Sequence, residues 1–355
     1  MSHRSPELSN SEIAELLAIQ SERETSHKQR ALRRASRRAF LWPEEAADLL
    51  RQGRSLTELS AVGPYLARCI RQWIEDPPLP STPPEIRAGF FTITEARASL
   101  ATNPGWLGCI RGDLQMHTLW SDGSGSVREM AEAASERNYE YIAITDHSKG
   151  LKIAGGIDEA QLQEQAEEIA ELNDSLKSAG SQLQVIRSVE LNLDPGGQGD
   201  MDERTLAQLD LVLGCFHSSL RKKEDQTERY LAALRNPSIH ILGHPRGRIY
   251  NFRVGLRADW PRVFGVAAEL DKAVEIDAYP DRQDLSPDLL LMAKKAGCRI
   301  SLGTDSHGPS QLAFMEFAAA SALLAGIPRD RILNFMPRAE LLNWARNLHD
   351  AKRAA

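Results

Sequence analysis

The chain has 355 residues, of which 42% are hydrophobic and 26% charged, and it carries a net charge of −6 at pH 7. That suits a folded protein large enough for two domains, and it excludes a chain drawn as a whole to nucleic acid by its charge. No apolar run nears the roughly 18 residues of a membrane span. Cys69, Cys109, Cys215 and Cys298 form no CxxC pair, so a cytoplasmic protein is expected, without a disulfide framework or thiolate zinc site.

The polar opening MSHRSPELSNSE has no apolar core of a secretory signal. Residues 1–76 read as a helical domain. Apolar residues recur at three-to-four spacing in Glu12–Ile19, Lys28–Phe40, Pro43–Gln52 and Leu66–Ile74. Pro43 suits a first helical turn, and Ser55 suits an N-cap with Glu58 three residues on. Residues 25–40 hold Lys28, Arg30, Arg33, Arg34, Arg37 and Arg38 and no acid. The arginines fall around one broad helix face. Residues 56–70 read as helix, tight turn at Val62–Gly63–Pro64, then helix, and such a turn offers backbone N–H groups to a phosphate.

The stretch Asp76–Pro84 (DPPLPSTPP) cannot be helix, and residues 77–107 are read as a proline-rich linker. Beyond it the pattern changes. Strand-like runs are expected near Gly112–His117, Tyr141–Thr145, Gln184–Leu193, Asp210–His217, Ile239–Gly243, Ala273–Ala278 and Arg299–Gly303. Helical segments lie between most of them: Val127–Arg137, Asp158–Ser178, Glu228–Leu234, Pro261–Leu270, Ser286–Ala296 and Ser310–Leu324. Alternation of this kind predicts an α/β fold with a mainly parallel sheet, closed or nearly closed, over residues 108–340, with a helical tail at 341–355. An open doubly wound sheet is the alternative, but no Gly-rich turn follows the first strand.

Histidines mark the strand ends. His117, His147, His217, His244 and His307 each end a predicted strand or follow it closely, and Asp113, Asp122, Asp146, Glu190 and Asp305 accompany them. In a parallel barrel these ends meet at one mouth. Imidazole and carboxylate gathered there suit divalent zinc, manganese or iron, and the donors outnumber the needs of one ion, so two or three are expected. Without a cation the carboxylates would repel one another. Lys149, Arg246 and Arg282 stand near strand ends as candidate phosphate-binding cations, the two arginines preferred for their two-pronged grip.

The segments Asp113–Gly123 (DLQMHTLWSDG), Thr145–Ser148 (TDHS), Glu190, Cys215–Ser218 (CFHS), Gly243–Pro245 (GHP) and Gly303–His307 (GTDSH) resemble the ordered motifs of the polymerase and histidinol phosphatase (PHP) family. The resemblance implies a distorted seven-stranded (β/α) barrel and a trinuclear metal centre that hydrolyses phosphate esters. It implies His117, Glu190 and Asp305 on one metal, Glu190 bridging to a second held by His217 and His244, and Asp122, His147 and His307 on the third. Gln115 stands where that family usually has a histidine, which would loosen the first site or shift it toward manganese. Asp146 is expected as a catalytic group near the metals rather than on them, and Asp113 as structural support.

Residues 56–70 resemble a helix-hairpin-helix, with Ala61 in place of the first turn glycine. The order of basic helix, hairpin and PHP barrel resembles bacterial family X DNA polymerases without their polymerase palm. That implies hydrolysis of nucleic-acid or nucleotide phosphoesters, of the 3′-5′ exonuclease or 3′-end-processing type, with nucleic acid bound without sequence preference through 25–40 and 56–70. The alternatives are a small-molecule phosphatase of histidinol-phosphate or nucleotide type and a non-catalytic DNA-binding module.

Overall fold

The computed structural model describes residues 8–79 and 82–354. Residues 1–7, where a secretory signal was looked for, lie outside them, as do Pro80 and Ser81 of the proline-rich stretch and Ala355 of the tail. The chain divides into two compact units, one of Met1–Thr102 with Ile249–Val254, the other of Asn103–Arg248 with Gly255–Ala355.

The first unit holds helices α1 (Asn10–Arg23), α2 (Ser26–Ala39), α3 (Ala46–Arg51), α4 (Pro64–Glu75) and α5 (Ile93–Ala101). A capping box of Ser9 and Glu12 starts α1. Ile13, Leu17, Leu32, Ala35, Trp42, Leu49, Leu56 and Ile70 form one buried core. Arg30, Arg33, Arg34, Arg37 and Arg38 of α2 are all exposed, because Leu32, Ala35, Ser36 and Ala39 occupy its buried face. Pro43 does not open a helix as expected. The Ala46 N–H finds its cap on Asn10 Oδ1 at 2.9 Å, and this tertiary contact sets the start of α3. The helix expected from Leu56 is a single 3-10 turn, Leu56–Glu58, capped by Ser55 and Glu58. The stretch read as linker contains α5, which begins at a capping box of Thr92 and Glu95 and lies within the first unit. Tyr250 also belongs here, its ring edge-on to Phe40 at 4.7 Å and to Phe90 at 5.2 Å. Its hydroxyl lies 3.2 Å from the Ser36 hydroxyl.

The second unit alternates strands and helices. In order these are β1 (Gly112–Asp113), α6 (Val127–Ser135), β2 (Tyr141–Ile144), α7 (Glu159–Ser178), β3 (Gln184–Arg187), β4 (Glu190–Asn192), α8 (Glu203–Leu206), β5 (Leu213–Cys215), α9 (Thr227–Arg235), β6 (Ile241–Leu242), α10 (Trp260–Glu269), β7 (Ala273–Asp277), α11 (Pro287–Ala296), β8 (Arg299–Gly303), α12 (Met315–Ala325) and α13 (Arg338–Ala354). All the strand pairs are parallel, in a sheet ordered β1-β2-β3 and another ordered β4-β5-β6-β7-β8. Strands β2, β5, β6 and β7 are buried along their whole length, as parallel strands covered on both faces must be. The single run expected over Gln184–Leu193 is two strands. β3 pairs with β2 and β4 with β5, and the chain passes from one sheet to the other at Ser188–Val189. Parallel bridges link the sheets at His147 with Glu190 and at Met116 with Ser306.

Candidate metal centre

Parallel strands send their C-terminal ends the same way, so the residues just past them become neighbours. Gln115 and His117 follow β1, His147 follows β2, Glu190 opens β4, His217 follows β5, His244 follows β6, and Asp305 and His307 follow β8. Glu190 is the hub. Its Oε1 lies 2.8 Å from His217 Nε2 and 2.7 Å from His244 Nε2. Its Oε2 lies 3.2 Å from His117 Nε2 and 3.4 Å from His147 Nδ1, and accepts from Gln115 Nε2 at 3.2 Å. His117 Nε2 also meets Asp305 Oδ1 at 2.9 Å. Asp122 Oδ1 stands 3.6 Å from His147 Nε2 and 3.4 Å from His307 Nε2. The strands thus gather all eight expected His, Asp and Glu donors, and Gln115 with them.

These donors fall into sets whose ligand atoms lie within 4.8 Å of one another: His117, Asp122, His147 and His307; His147, Glu190 and His217; Glu190, Cys215 and His244; His117, Glu190 and Asp305. The His117 ring stacks on that of His147 at 4.3 Å and lies 4.5 Å from that of His307. Two imidazolium charges at about 4 Å would repel by roughly 4 kcal/mol at the effective dielectric of a protein surface. Divalent cations let the rings stay neutral while the carboxylates stay charged, so this donor set fits a cluster of metal ions. Asn192 Oδ1, at 3.0 Å, accepts from His217 Nδ1, and the Asp305 carbonyl, at 2.8 Å, accepts from His307 Nδ1. With Nδ1 so engaged, each ring turns its Nε2 to the cluster, where it could serve a cation.

Charge balance inside the cluster is severe. Burial alone would raise Glu190, but His147 and His244 outweigh it and hold the carboxyl well below its usual range. Burial would lower His117, yet the Asp305 and Glu190 carboxylates raise it well above the usual imidazole range. In His244 the opposing pull of Glu190 likewise defeats burial and lifts the ring to about 9. His147 is the exception. Its burial wins, and the neighbouring His117 and His217 help push it down to about 3. Cys215 remains a thiol, since burial and then Glu190 push it well above its ordinary value.

Two buried carboxylates peg the loops that carry the candidate donors. Asp146 accepts from the Thr118 N–H at 2.8 Å, the Thr118 hydroxyl at 2.7 Å, Ser121 Oγ at 2.5 Å and Gln165 Nε2 at 2.7 Å. It fixes the loop leading to Asp122 and belongs to none of the donor sets, and its oxygens are engaged in holding that loop. Asp113 accepts from the Gln115 N–H at 3.2 Å and, across the seam, from the Thr304 N–H at 3.1 Å and hydroxyl at 2.5 Å.

Of the three candidate cations, Arg282 reaches the cluster. The Arg282 guanidinium pairs with Asp305 and lies 3.5 Å from Asp277. Lys149 instead pairs with Glu159 at the start of α7, at 2.7 Å, outside the donor sets. Arg246 lies two residues past His244, and its charge acts on Asp284 and Arg248.

Sequence reasoning missed Glu275 and Asp277 of β7. Glu275 Oε2 accepts from the His244 N–H at 2.7 Å, holding that residue at a φ of +23°, where side-chain-bearing residues rarely sit. A Cβ on Gly303 would come within 2.2 Å of the other Glu275 oxygen, so this β8 position must stay bare. Burial pushes both acids well above the usual carboxylate range. The available signal was the Val-Glu-Ile-Asp alternation of residues 274–277, which sets two acids on one face of a buried strand.

Residues 113–285 match the family model described as the PHP domain. The chain is 35% identical over 257 residues to the DNA polymerase/3′-5′ exonuclease PolX of Bacillus subtilis, covering 72% of this chain and 44% of that one, so it spans less than half of that relative. It is 29% identical over 234 residues to a probable phosphatase of Thermoanaerobacter sp. (strain X514), covering 62% of this chain and 89% of the phosphatase. A histidinol phosphate phosphatase of Lactococcus lactis, solved with zinc, L-histidinol and phosphate, aligns at 18% identity over 68% of this chain and 93% of that one, with a TM-score of 0.39.

Proposed function

From the premise that residues 113–285 are a PHP domain, we propose that this chain is a metal-dependent phosphoesterase acting on nucleic-acid or nucleotide phosphates, of the 3′-5′ exonuclease or 3′-end-processing type. The observation that carries it is Glu190, a fully buried carboxylate within 3.4 Å of four imidazoles. On this reading the strands form one distorted seven-stranded barrel, β3 and β4 counting as one kinked strand, and the bridges at His147–Glu190 and Met116–Ser306 support the closure.

Glu190 would be shared between two ions, with His117 and Asp305 on one side and His217 and His244 on the other. Asp122, His147 and His307 would hold a third. Manganese or zinc suits these nitrogen and oxygen donors. Bound ions there supply Lewis acidity toward phosphoryl oxygens and lower the pKa of an attacking water. The chain's own part is to orient and to neutralise. Asp113 and Asp146 fix the ligand loops, Asn192 fixes the His217 tautomer, and Arg282 offers a two-pronged cation at the rim for a non-bridging oxygen. Gln115, an amide within reach of Glu190, is a weaker donor than imidazole and would leave the first position looser.

The first unit is read as the nucleic-acid-binding part. The five exposed arginines of α2 form a cationic face, and among the described residues no carboxylate pairs with Arg33, Arg34, Arg37 or Arg38. Residues 56–70 support a helix-hairpin-helix reading, because Ala61 carries a φ of +64° at the place where that motif uses glycine. Gly63 and Pro64 then open α4 with its first N–H groups unbonded within the helix. A cytoplasmic enzyme accords with the absence, among the described residues, of any helix long and apolar enough to cross a membrane.

The small-molecule phosphatase is the second reading, favoured by the Thermoanaerobacter relative, which the chain covers almost throughout. One experiment separates the readings. Metal-loaded protein is given 3′-labelled oligonucleotides and a panel of phosphate monoesters. Stepwise loss of 3′ nucleotides is expected. Turnover of monoesters alone would favour the second reading, and no turnover of either would leave a binding module.

A further inference from the structure

The donor groups are not equally buried, and this shows where the centre opens. His117 and Glu190 are fully buried, whereas His307 is 23% exposed and Asp122 35%. A substrate therefore enters past Asp122 and His307. The wall at this side is aromatic. Tyr279, two residues past β7, has its ring 6.2 Å from that of His307 and 81° to it. Phe314 backs it edge-on at 5.4 Å, and the Arg282 guanidinium carbon lies 5.4 Å from the Tyr279 ring centre. Both rings are partly exposed. Among the described residues the Tyr279 hydroxyl has no hydrogen-bond partner, and its backbone is held by the Asp277 carboxylate, which accepts from the Tyr279 N–H at 2.7 Å.

Nothing in the metal chemistry needs an aromatic ring in this place. A packing role would bury the ring and satisfy its hydroxyl, as happens to Tyr230, whose hydroxyl donates to the Pro245 carbonyl. We propose that Tyr279, backed by Phe314, is a specificity subsite for the planar base of the nucleotide whose phosphate Arg282 receives. The inference rests on the phosphoesterase reading and adds to it the part of the substrate beyond the phosphate. Arg282 and Tyr279 lie within three residues of each other on one loop, so the phosphate grip and the base contact are set by the same short segment. The free hydroxyl is available to a polar edge of the base or to the sugar.

The test uses the full chain, loaded with manganese, and two oligonucleotides that differ only in the 3′-terminal residue, thymidine in one and a base-less tetrahydrofuran in the other. Cleavage rates give KM and kcat for each. Fluorescence anisotropy gives Kd on the same pair with a cleavage-resistant terminal linkage. Loss of base stacking in Tyr279→Ala is expected to raise KM and Kd for the thymidine end by about tenfold. The base-less end and kcat should stay nearly unchanged. Tyr279→Phe keeps the ring and should lose no more than about threefold. An equal loss on both ends would make Tyr279 a mere support of His307 and overturn the subsite. So would equal wild-type affinity for the two ends. Failure of the wild type to cleave either oligonucleotide would strike the nucleic-acid reading instead, with the anisotropy comparison still deciding the subsite.

Discussion

Glu190 lies wholly out of solvent against four imidazoles, whereas Arg33, Arg34, Arg37 and Arg38 stand exposed along one face of α2 without a carboxylate partner among the described residues. The first arrangement is costly. Taking a carboxylate out of water costs several kcal/mol, and only close opposite charge offsets it. The second costs almost nothing, because water already solvates each guanidinium. Buried charge in the second unit is therefore committed to a particular occupant. Exposed charge in the first unit is available to any polyanion and is screened by salt.

Removing the metal should separate the two regions most sharply. Chelation should abolish hydrolysis and leave binding of oligonucleotide through α2 largely in place. It should also expose a pH signature. In metal-free protein His244 is raised to about 9, above its ordinary value of about 6.5. The stabilisation is full below the ordinary value and is lost as pH rises through about 9. Thermal melting points of chelated protein should fall between pH 6.5 and 9, and those of loaded protein should not. Undiminished hydrolysis after exhaustive chelation would break the comparison.

Glu190→Gln should lower kcat by about a thousandfold or more, the scale of losing ~4 kcal/mol in the transition state. Metal content by elemental analysis should fall with it, while circular dichroism stays native. A variant that kept a tenth of the activity would show that Glu190 is not shared between ions. Replacing Arg33, Arg34, Arg37 and Arg38 together by alanine is the converse change. Oligonucleotide affinity should fall by about a hundredfold at low salt, and the slope of log affinity against log salt should flatten by about 3. Turnover of a small chromogenic ester should not move. The smallest effect is expected from Gln115→His, which restores an imidazole donor beside Glu190. Metal retention should improve, with activity changed only a few-fold, and dialysis followed by metal analysis would register it.

The clustering of the candidate donors was legible because most lie at or just past a strand and the strand–helix alternation dictates a common end. What stayed hidden depended on contacts between segments. Asp146 precedes His147 and looked catalytic, but its oxygens are taken by Thr118, Ser121 and Gln165. Lys149 follows a ligand just as closely, yet Glu159 captures it. In the run from Gln184 to Leu193 apolar residues recur on both sides of Arg187–Ser188, and the change of pairing partner between β3 and β4 depends on neighbours that the run itself does not name. Glu275 and Asp277 passed unremarked because acids within a strand ordinarily signal a solvated face, and here that face lines the ligand cluster. In the first unit Pro43 gave way to Asn10, whose cap on Ala46 comes from 36 residues away.

Tyr250 has a bearing on the order in which the protein is completed during synthesis. Its ring fills the space between Phe40 and Phe90, and its hydroxyl meets Ser36, yet residues 249–254 leave the ribosome long after the helices they join. At ordinary elongation rates the roughly 150 intervening residues take about 7 to 30 seconds. Over that interval the helices stand with an aromatic slot unfilled and a buried serine hydroxyl short of one neighbour. The helical unit is thus begun early and completed only about 150 residues later, and a nascent chain stalled before Ile249 should be more open to protease at its helices than the released protein.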